Sequence, residues 1–233
     1  MKLVLCVLIL AVSLSMAGHP VATGNYGGTS NWQGTDDIVV WSQLPSTGLM
    51  ASQKFTDYDS TAVDCGVADD FEFTTETTIN KIRWWGGYWN GAGPFPVVCY
   101  SQIYLYNDDG TGNAPTLPEH SSAINYWAIA PADYTETVDG DYFVYEYIFP
   151  ADVVFDANTK YWIEIRKAFD FAGIGQWGRV QSTPIFLSAC VQGTIGFSGG
   201  PVYWTALAND AAFELISEAA LEASTWAEIK TIF

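Results

Sequence analysis

Asn80-Lys-Ile-Arg-Trp-Trp-Gly-Gly-Tyr-Trp-Asn90 sets three tryptophans and a tyrosine within six residues, beside Lys81 and Arg83, in a chain with nine basic residues in all. Flat indole and phenol rings stack on the apolar faces of sugars, while neighbouring Arg, Glu and Asn bond the hydroxyls. The chemistry on offer is recognition of a glycan. Side chains alternate along a strand, so Ile82 and Trp84 take the core side here and Lys81, Arg83 and Trp85 take the other. Gly86-Gly87 lets the chain turn or bulge before Tyr88 and Trp89. Two further strands divide in the same way. In Tyr161-Trp-Ile-Glu-Ile-Arg166, Tyr161, Ile163 and Ile165 alternate with Trp162, Glu164 and Arg166. In Gln102-Ile-Tyr-Leu-Tyr106, Ile103 and Leu105 alternate with Gln102, Tyr104 and Tyr106. If these strands share a sheet, its outer face is aromatic with charges interspersed. The candidate ligand-binding set is therefore Arg83, Trp85, Trp89, Tyr104, Tyr106, Trp162, Glu164 and Arg166. The plainer account is that the same rings pack under loops or against a neighbouring domain.

A second grouping is oxygen-rich. Asn107-Asp-Asp-Gly-Thr-Gly-Asn113 offers the side chains of Asn107, Asp108, Asp109 and Asn113 around two glycines, which suits a hard cation such as Ca2+ in a structural role. It lacks the spacing and the bidentate Glu of an EF-hand, and an ordinary polar hairpin turn uses the same residues. Asp69 and Asp70 are a further oxygen source, although Asp70 is better suited to bonding loop amides. Catalysis has little to work with. His19 and His120 are the only histidines, and neither stands in a metal-ligand spacing or a nucleophile motif. Ser121 next to His120 is adjacency in sequence and nothing more. Glu146 and Glu164 make a conceivable glycosidase pair, but surface carboxylates on an acidic protein explain them more simply. The expectation is a non-catalytic protein, with structural Ca2+ the one cofactor in view.

Composition bounds the setting of this chemistry. The chain has 233 residues, about one domain, with 49 % hydrophobic and 15 % charged residues, enough for a substantial core. Its formal net charge of −17 repels phosphate backbones and anionic lipid, which argues against nucleic acid and membrane surfaces as partners. Lys2, the apolar run over residues 3–12 and Ser15-Met16-Ala17 have the layout of a signal peptide cleaved after Ala17. The run is shorter than the ~20 residues that span a bilayer, and no later stretch reaches that length. Cys6 lies inside the run, where a lipoprotein cysteine would follow it. Export then leaves Cys65, Cys99 and Cys190 in an oxidising compartment, with one disulfide and one buried thiol expected and all three pairings open.

Residues 18–36 are rich in Gly, Ser, Thr and Asn and predict a flexible leader. Strand signals follow at Ile38–Trp41, Val67–Phe73, Ile79–Trp85, Val97–Tyr106, Ile124–Ile129, Tyr142–Phe149, Tyr161–Lys167, Gln176–Gln181, Pro184–Cys190 and Ala211–Ile216, with Gly, Pro, Asn or Asp in the breaks. Many short strands without a long helical period predict an all-β fold, an antiparallel β-sandwich or jelly roll over residues 37–217. Residues 218–233 form the tail. There Thr225-Trp-Ala-Glu228 has capping-box spacing, and Trp226, Ile229 and Ile232 (or Phe233) fall at helical spacing, so a short C-terminal helix is expected.

Val67-Ala-Asp-Asp-Phe71 and Ile82-Arg-Trp-Trp-Gly-Gly-Tyr-Trp89 open a pattern that continues through Tyr145–Pro150, Tyr161-Trp-Ile-Glu-Ile165 and Trp177-Gly178. It ends with Trp204 and Ala212-Phe-Glu-Leu215. It resembles secreted bacterial β-sandwich domains of unknown function, often found in surface-anchored proteins, over roughly residues 37–216. The tail Thr225–Lys230 is similar to short terminal segments of some secreted bacterial proteins. The resemblance implies fold and compartment, and it brings no established activity, cofactor or catalytic residue. The expected function is a secreted, non-catalytic surface module that binds a glycan or extracellular polysaccharide through exposed aromatics. A structural or adhesive cell-envelope protein with protein partners is the alternative, and a glycoside hydrolase the remote one.

Overall fold

The computed structural model describes residues 37–57, 64–91, 98–116, 122–172, 175–194 and 203–218. The expected signal peptide, the leader, both histidines and the tail beyond residue 218 lie outside the described residues. Runs of alternating apolar and polar residues bounded by turn formers make the strands, in chain order. They begin with β1 (Asp37–Gln43), β2 (Pro45–Ala51), β3 (Gln53–Phe55), β4 (Cys65–Glu72) and β5 (Thr77–Trp89). Next come β6 (Tyr100–Asn107), β7 (Asn125–Ile129), β8 (Tyr134–Asp139), β9 (Tyr142–Phe155) and β10 (Lys160–Phe169). The last are β11 (Gln176–Ser182), β12 (Val191–Thr194), β13 (Tyr203–Ala206), β14 (Asp210–Ala211) and β15 (Phe213–Glu218). No helix among the described residues is long and apolar enough to cross a membrane.

Among the described residues these strands form two sheets. One has eight strands, running β1-β15-β5-β11-β14 with β2 on β11 and β9 and β8 beyond β5. The other has seven, in the order β13-β12-β4-β3-β10-β6-β7. The two pack face to face as the expected β-sandwich. The pairing is antiparallel except at β3 and β10, which run parallel from Gln53 opposite Lys167. The core between the sheets is aromatic: Trp84, Tyr145, Trp177 and Phe213 from one side meet Phe71, Tyr161, Ile163, Ile165, Ile103 and Leu105 from the other. Every inward residue assigned by alternation in β5, β6 and β10 is in this core.

Three expectations change. Pro184–Cys190 is a loop and not a strand; Leu187 adopts φ 54° there and Pro184 has no N–H for a ladder, and the strand begins instead at Val191. Strands β2, β3, β8 and β13 carry weak alternation and owe their conformation to their partners. The chain also does not bulge at Gly86-Gly87. The ladder continues, Gly86 opposite Arg179 and Gly87 opposite Gly178, and Gly86 is a glycine because a Cβ there would overlap the Trp177 indole.

Candidate functional site

Register gathers five of the candidate residues on the outward side of the seven-stranded sheet. Trp162 lies opposite Tyr106, Glu164 opposite Tyr104, and Arg166 opposite Gln102. They share one face as expected, but that face is not open. Trp162 and Tyr106 are 0 % exposed, and Tyr104, Glu164 and Arg166 are buried with them. The residues bury one another. Tyr126 on β7 stacks on Tyr104 at 4.5 Å, and Trp204 on β13 meets Tyr106 edge-on at 6.1 Å. Arg166 lies over the Tyr104 ring at 5.0 Å, donates to the Tyr104 hydroxyl at 2.9 Å and donates to Gln102 Oε1 at 2.8 Å. Tyr106 OH donates to Glu164 Oε2 at 2.7 Å. Burial, then the Glu164 charge, pushes that phenol far above its usual range. Burial works against the Arg166 charge, yet Glu164 and Tyr104 outweigh it and hold the guanidinium up. Gly66 makes room for this network, since a Cβ there would overlap the Glu164 carboxylate.

Arg83, Trp85 and Trp89 do not join this face. Strand β5 belongs to the eight-stranded sheet, so they look out from the opposite side of the sandwich. There Arg83 sits between its two cross-strand neighbours, Glu146 on β9 and Glu214 on β15. It donates to Glu146 Oε1 from Nε at 2.8 Å and to Glu214 Oε2 from Nη1 at 2.6 Å. Trp85 is buried among Val144, Val180 and Ala212, and its Nε1 donates to Asp139 Oδ2 at 2.8 Å. Trp89 is half-buried and lies against Gly178. One continuous aromatic face built from all eight residues is thus replaced by two separate, packed faces. The separation also disposes of a Glu146–Glu164 catalytic pair. The two carboxylates lie on opposite outer faces of sheets that pack ~10 Å apart, beyond glycosidase spacing.

The acidic turn is self-contained. Asp108 Oδ1 accepts the amides of Gly110 and Gly112 at 2.8 and 2.9 Å, and Asp108 Oδ2 accepts Trp162 Nε1 at 3.0 Å. Asp109 Oδ1 accepts the Thr111 amide at 2.8 Å, and Asn113 Nδ2 donates to Thr111 O at 3.1 Å. Asn107 closes the turn through its carbonyl, which accepts the Thr116 amide at 2.9 Å. Lys160 Nζ ties the turn to the sheet, donating to Gly112 O and, at 2.7 Å, to Asp70 Oδ2. Asn107, Asp108, Gly112 and Lys160 line a shallow hollow with Glu72, Asn158 and Thr159. Among the described residues no group of three or more His, Cys, Asp or Glu is placed to hold a metal ion.

The three cysteines expected to yield a disulfide are free and buried. Val191 lies opposite Ala68, which sets Cys190 roughly 13 Å along the strand direction from Cys65, beyond the ~7 Å a disulfide spans. Cys99, at the start of β6, is separated from Cys65 by β10. Burial pushes the Cys65 thiol up to about 12.

Two clusters of ionisable groups lie in the core where alternation alone assigns apolar residues. The same alternation that marks Ile163 and Ile165 as inward extends to Lys167, and Trp177 carries Arg179 with it; following parity past the last apolar residue is the signal that finds both. Lys167 is 0 % exposed and bonds Glu136 Oε2 at 2.7 Å. Arg179 is also fully buried and donates to Val67 O and Ile163 O, each at 3.2 Å. Burial lowers it to about 10, against the pull of Asp69. Burial, then the Asp210 charge, raises the Asp69 carboxyl, and burial likewise carries Asp210 to about 6.

Two packed sheets with paired, buried side chains on their outer faces define a β-sandwich domain. The chain belongs to the family described as "Domain of unknown function (DUF7901)", whose model matches residues 39–216. No curated protein and no solved structure matches it.

Proposed function

We infer that the chain is an exported, non-catalytic structural module of the bacterial cell surface, whose contacts are made with protein partners. The observation that carries this reading is the fate of the outward aromatics and cations. Arg83 bonds Glu146 and Glu214, Arg166 bonds Tyr104 and Gln102, and Trp85 and Trp162 bond Asp139 and Asp108. Groups consumed by one another stiffen a domain and are withdrawn from a ligand. The layout of residues 1–17 supports export, and the acidic surface favours solubility outside the cell. Fractionation of cells that express the full chain tests this: recovery with the envelope, released by protein denaturants, is expected. Recovery wholly in the cytosol, or turnover of a glycoside by the pure protein, overturns it.

Glycan binding is the second reading, and one observation favours it. Tyr100 and Tyr126 are 55 % and 47 % exposed on the outward side of the seven-stranded sheet, with Gln102 bonded to the Tyr126 hydroxyl at 3.1 Å. Rings open to solvent beside an amide suit a sugar face. Polysaccharide retention that Tyr126→Ala and Tyr100→Ala abolish, in folded protein, would establish this reading in place of the first.

A further inference from the structure

We propose that Lys167 and Glu136 form an intramolecular amide, a covalent cross-link between the two sheets made by the chain itself. Lys167 on β10 points inward from the seven-stranded sheet, and Glu136 on β8 belongs to the eight-stranded one. Nζ donates to Oε2 at 2.7 Å, with the amine 0 % exposed and the carboxylate side chain 9 % exposed. Reactants held at hydrogen-bond distance in one orientation need no further encounter, and that preorganisation is worth a large effective concentration.

The surroundings of the carboxyl group fit the reaction. Oε1 accepts hydrogens from Tyr88 OH and Tyr145 OH, both at 2.9 Å, and Trp177 Nε1 supports Tyr145 OH at 3.1 Å. Oε1 is where negative charge develops when an amine adds to the carboxyl carbon, so the two phenols act as an oxyanion hole. Tyr88 OH also accepts from Lys167 Nζ at 2.9 Å, so one hydroxyl touches both the amine and the acid and can relay a proton between them. Four rings enclose Nζ, those of Tyr145, Tyr134, Tyr88 and Trp177, at 4.5, 5.1, 5.4 and 6.0 Å from their centroids. This aromatic enclosure keeps out the water that would reverse the condensation.

The step balances without a co-reactant. One proton passes from Nζ to Oε2, the Nζ lone pair attacks Cδ, and the C–N bond forms as charge collects on Oε1. A second proton leaves Nζ, the Cδ–Oε2 bond breaks, and Oε2 departs as water. A buried ammonium and a buried carboxylate become one neutral amide, which removes two desolvated charges from the core.

Intact mass spectrometry and peptide mapping of the denatured full chain test the proposal, beside Glu136→Ala and Lys167→Met. Wild type is expected to be lighter by one water than its sequence, once the observed N-terminus is counted. A branched peptide should join residues 136 and 167, and trypsin should fail to cut after Lys167. Both variants are expected at full mass. The branched peptide is read from wild type alone, so a variant that fails to fold does not blunt the test. Linear wild-type peptides with unmodified Lys167 and Glu136 overturn the proposal, as does a water loss mapped to any other residue.

Discussion

Trp85 and Trp162 lie on opposite outer faces of the sandwich, and each indole N–H is bound to an aspartate, Asp139 for the first and Asp108 for the second. Both rings are buried. An aromatic residue held in that way contributes to the stability of its sheet, where an open one would contribute to binding.

Trp162→Ala and Trp85→Ala are therefore expected to lower the free energy of unfolding by about 3–5 kcal/mol each, as large-to-small changes in packed sites do. Trp85→Phe keeps most of the packing and should cost less. Urea unfolding checks both. A variant with unchanged stability but lost ligand binding would show that its ring serves a surface site.

The Arg83 bridge yields a sharper test. Arg83→Met leaves Glu214 buried without its cation, and a loss of about 3–5 kcal/mol is expected. Arg83→Lys should recover little, because one ammonium cannot reproduce the fork that reaches Glu146 and Glu214 together. Equal stability of the Lys variant and wild type would contradict the bridging role.

Stability should rise on mild acidification. Asp210 has a folded pKa of about 6 against 3.8 for the ordinary group, so between about pH 4 and pH 6 the folded state binds more protons than the unfolded one. Its contribution is present at low pH and lost as the pH rises through that window, up to about 3 kcal/mol. Asp69, raised by burial and by Asp210, acts in the same direction. Urea midpoints measured from about pH 7 down to about pH 5 are expected to increase, and Asp210→Asn should flatten the trend.

Chelation is expected to leave the melting temperature unchanged, because the Asp108 and Asp109 carboxylates already accept the amides of their own turn. Asp108→Ala, in contrast, frees two amides and the Trp162 indole and should cost about 1–3 kcal/mol. A melting temperature that falls with EDTA and returns with Ca2+ would reverse this assignment.

A reductant such as dithiothreitol should likewise leave thermal unfolding unchanged, since Cys65, Cys99 and Cys190 are free. A thiol reagent is expected to label them only after denaturation, as buried, protonated thiols react slowly. A mobility shift on reduction would reveal a disulfide.

Alternation along β5, β6 and β10 was legible without any structure. Ile82 and Trp84 face the core while Arg83 and Trp85 face away, and Tyr161, Ile163 and Ile165 divide from Trp162, Glu164 and Arg166 in the same way. The sandwich class was legible too. Parity is a property of the local backbone, with a period of two residues, so a short stretch of sequence carries it. Which strands share a sheet is not local. Arg83 and Arg166 look alike in sequence and end on opposite sides of the molecule because β5 pairs with β9 and β15, while β10 pairs with β4 and β6. Burial is not local either. Tyr104 is covered by Tyr126 from the next strand, and Tyr106 by Trp204, which arrives from far along the chain. Likewise Lys167 meets Glu136 only when the two sheets close, and both side chains lose their water only in the packed sandwich. Local sequence specifies the long strands β5, β6 and β10 and the side to which their residues point; packing settles what stands on that side, and it also makes strands of segments such as β2 and β8, because contact and exposure arise between segments that only folding brings together.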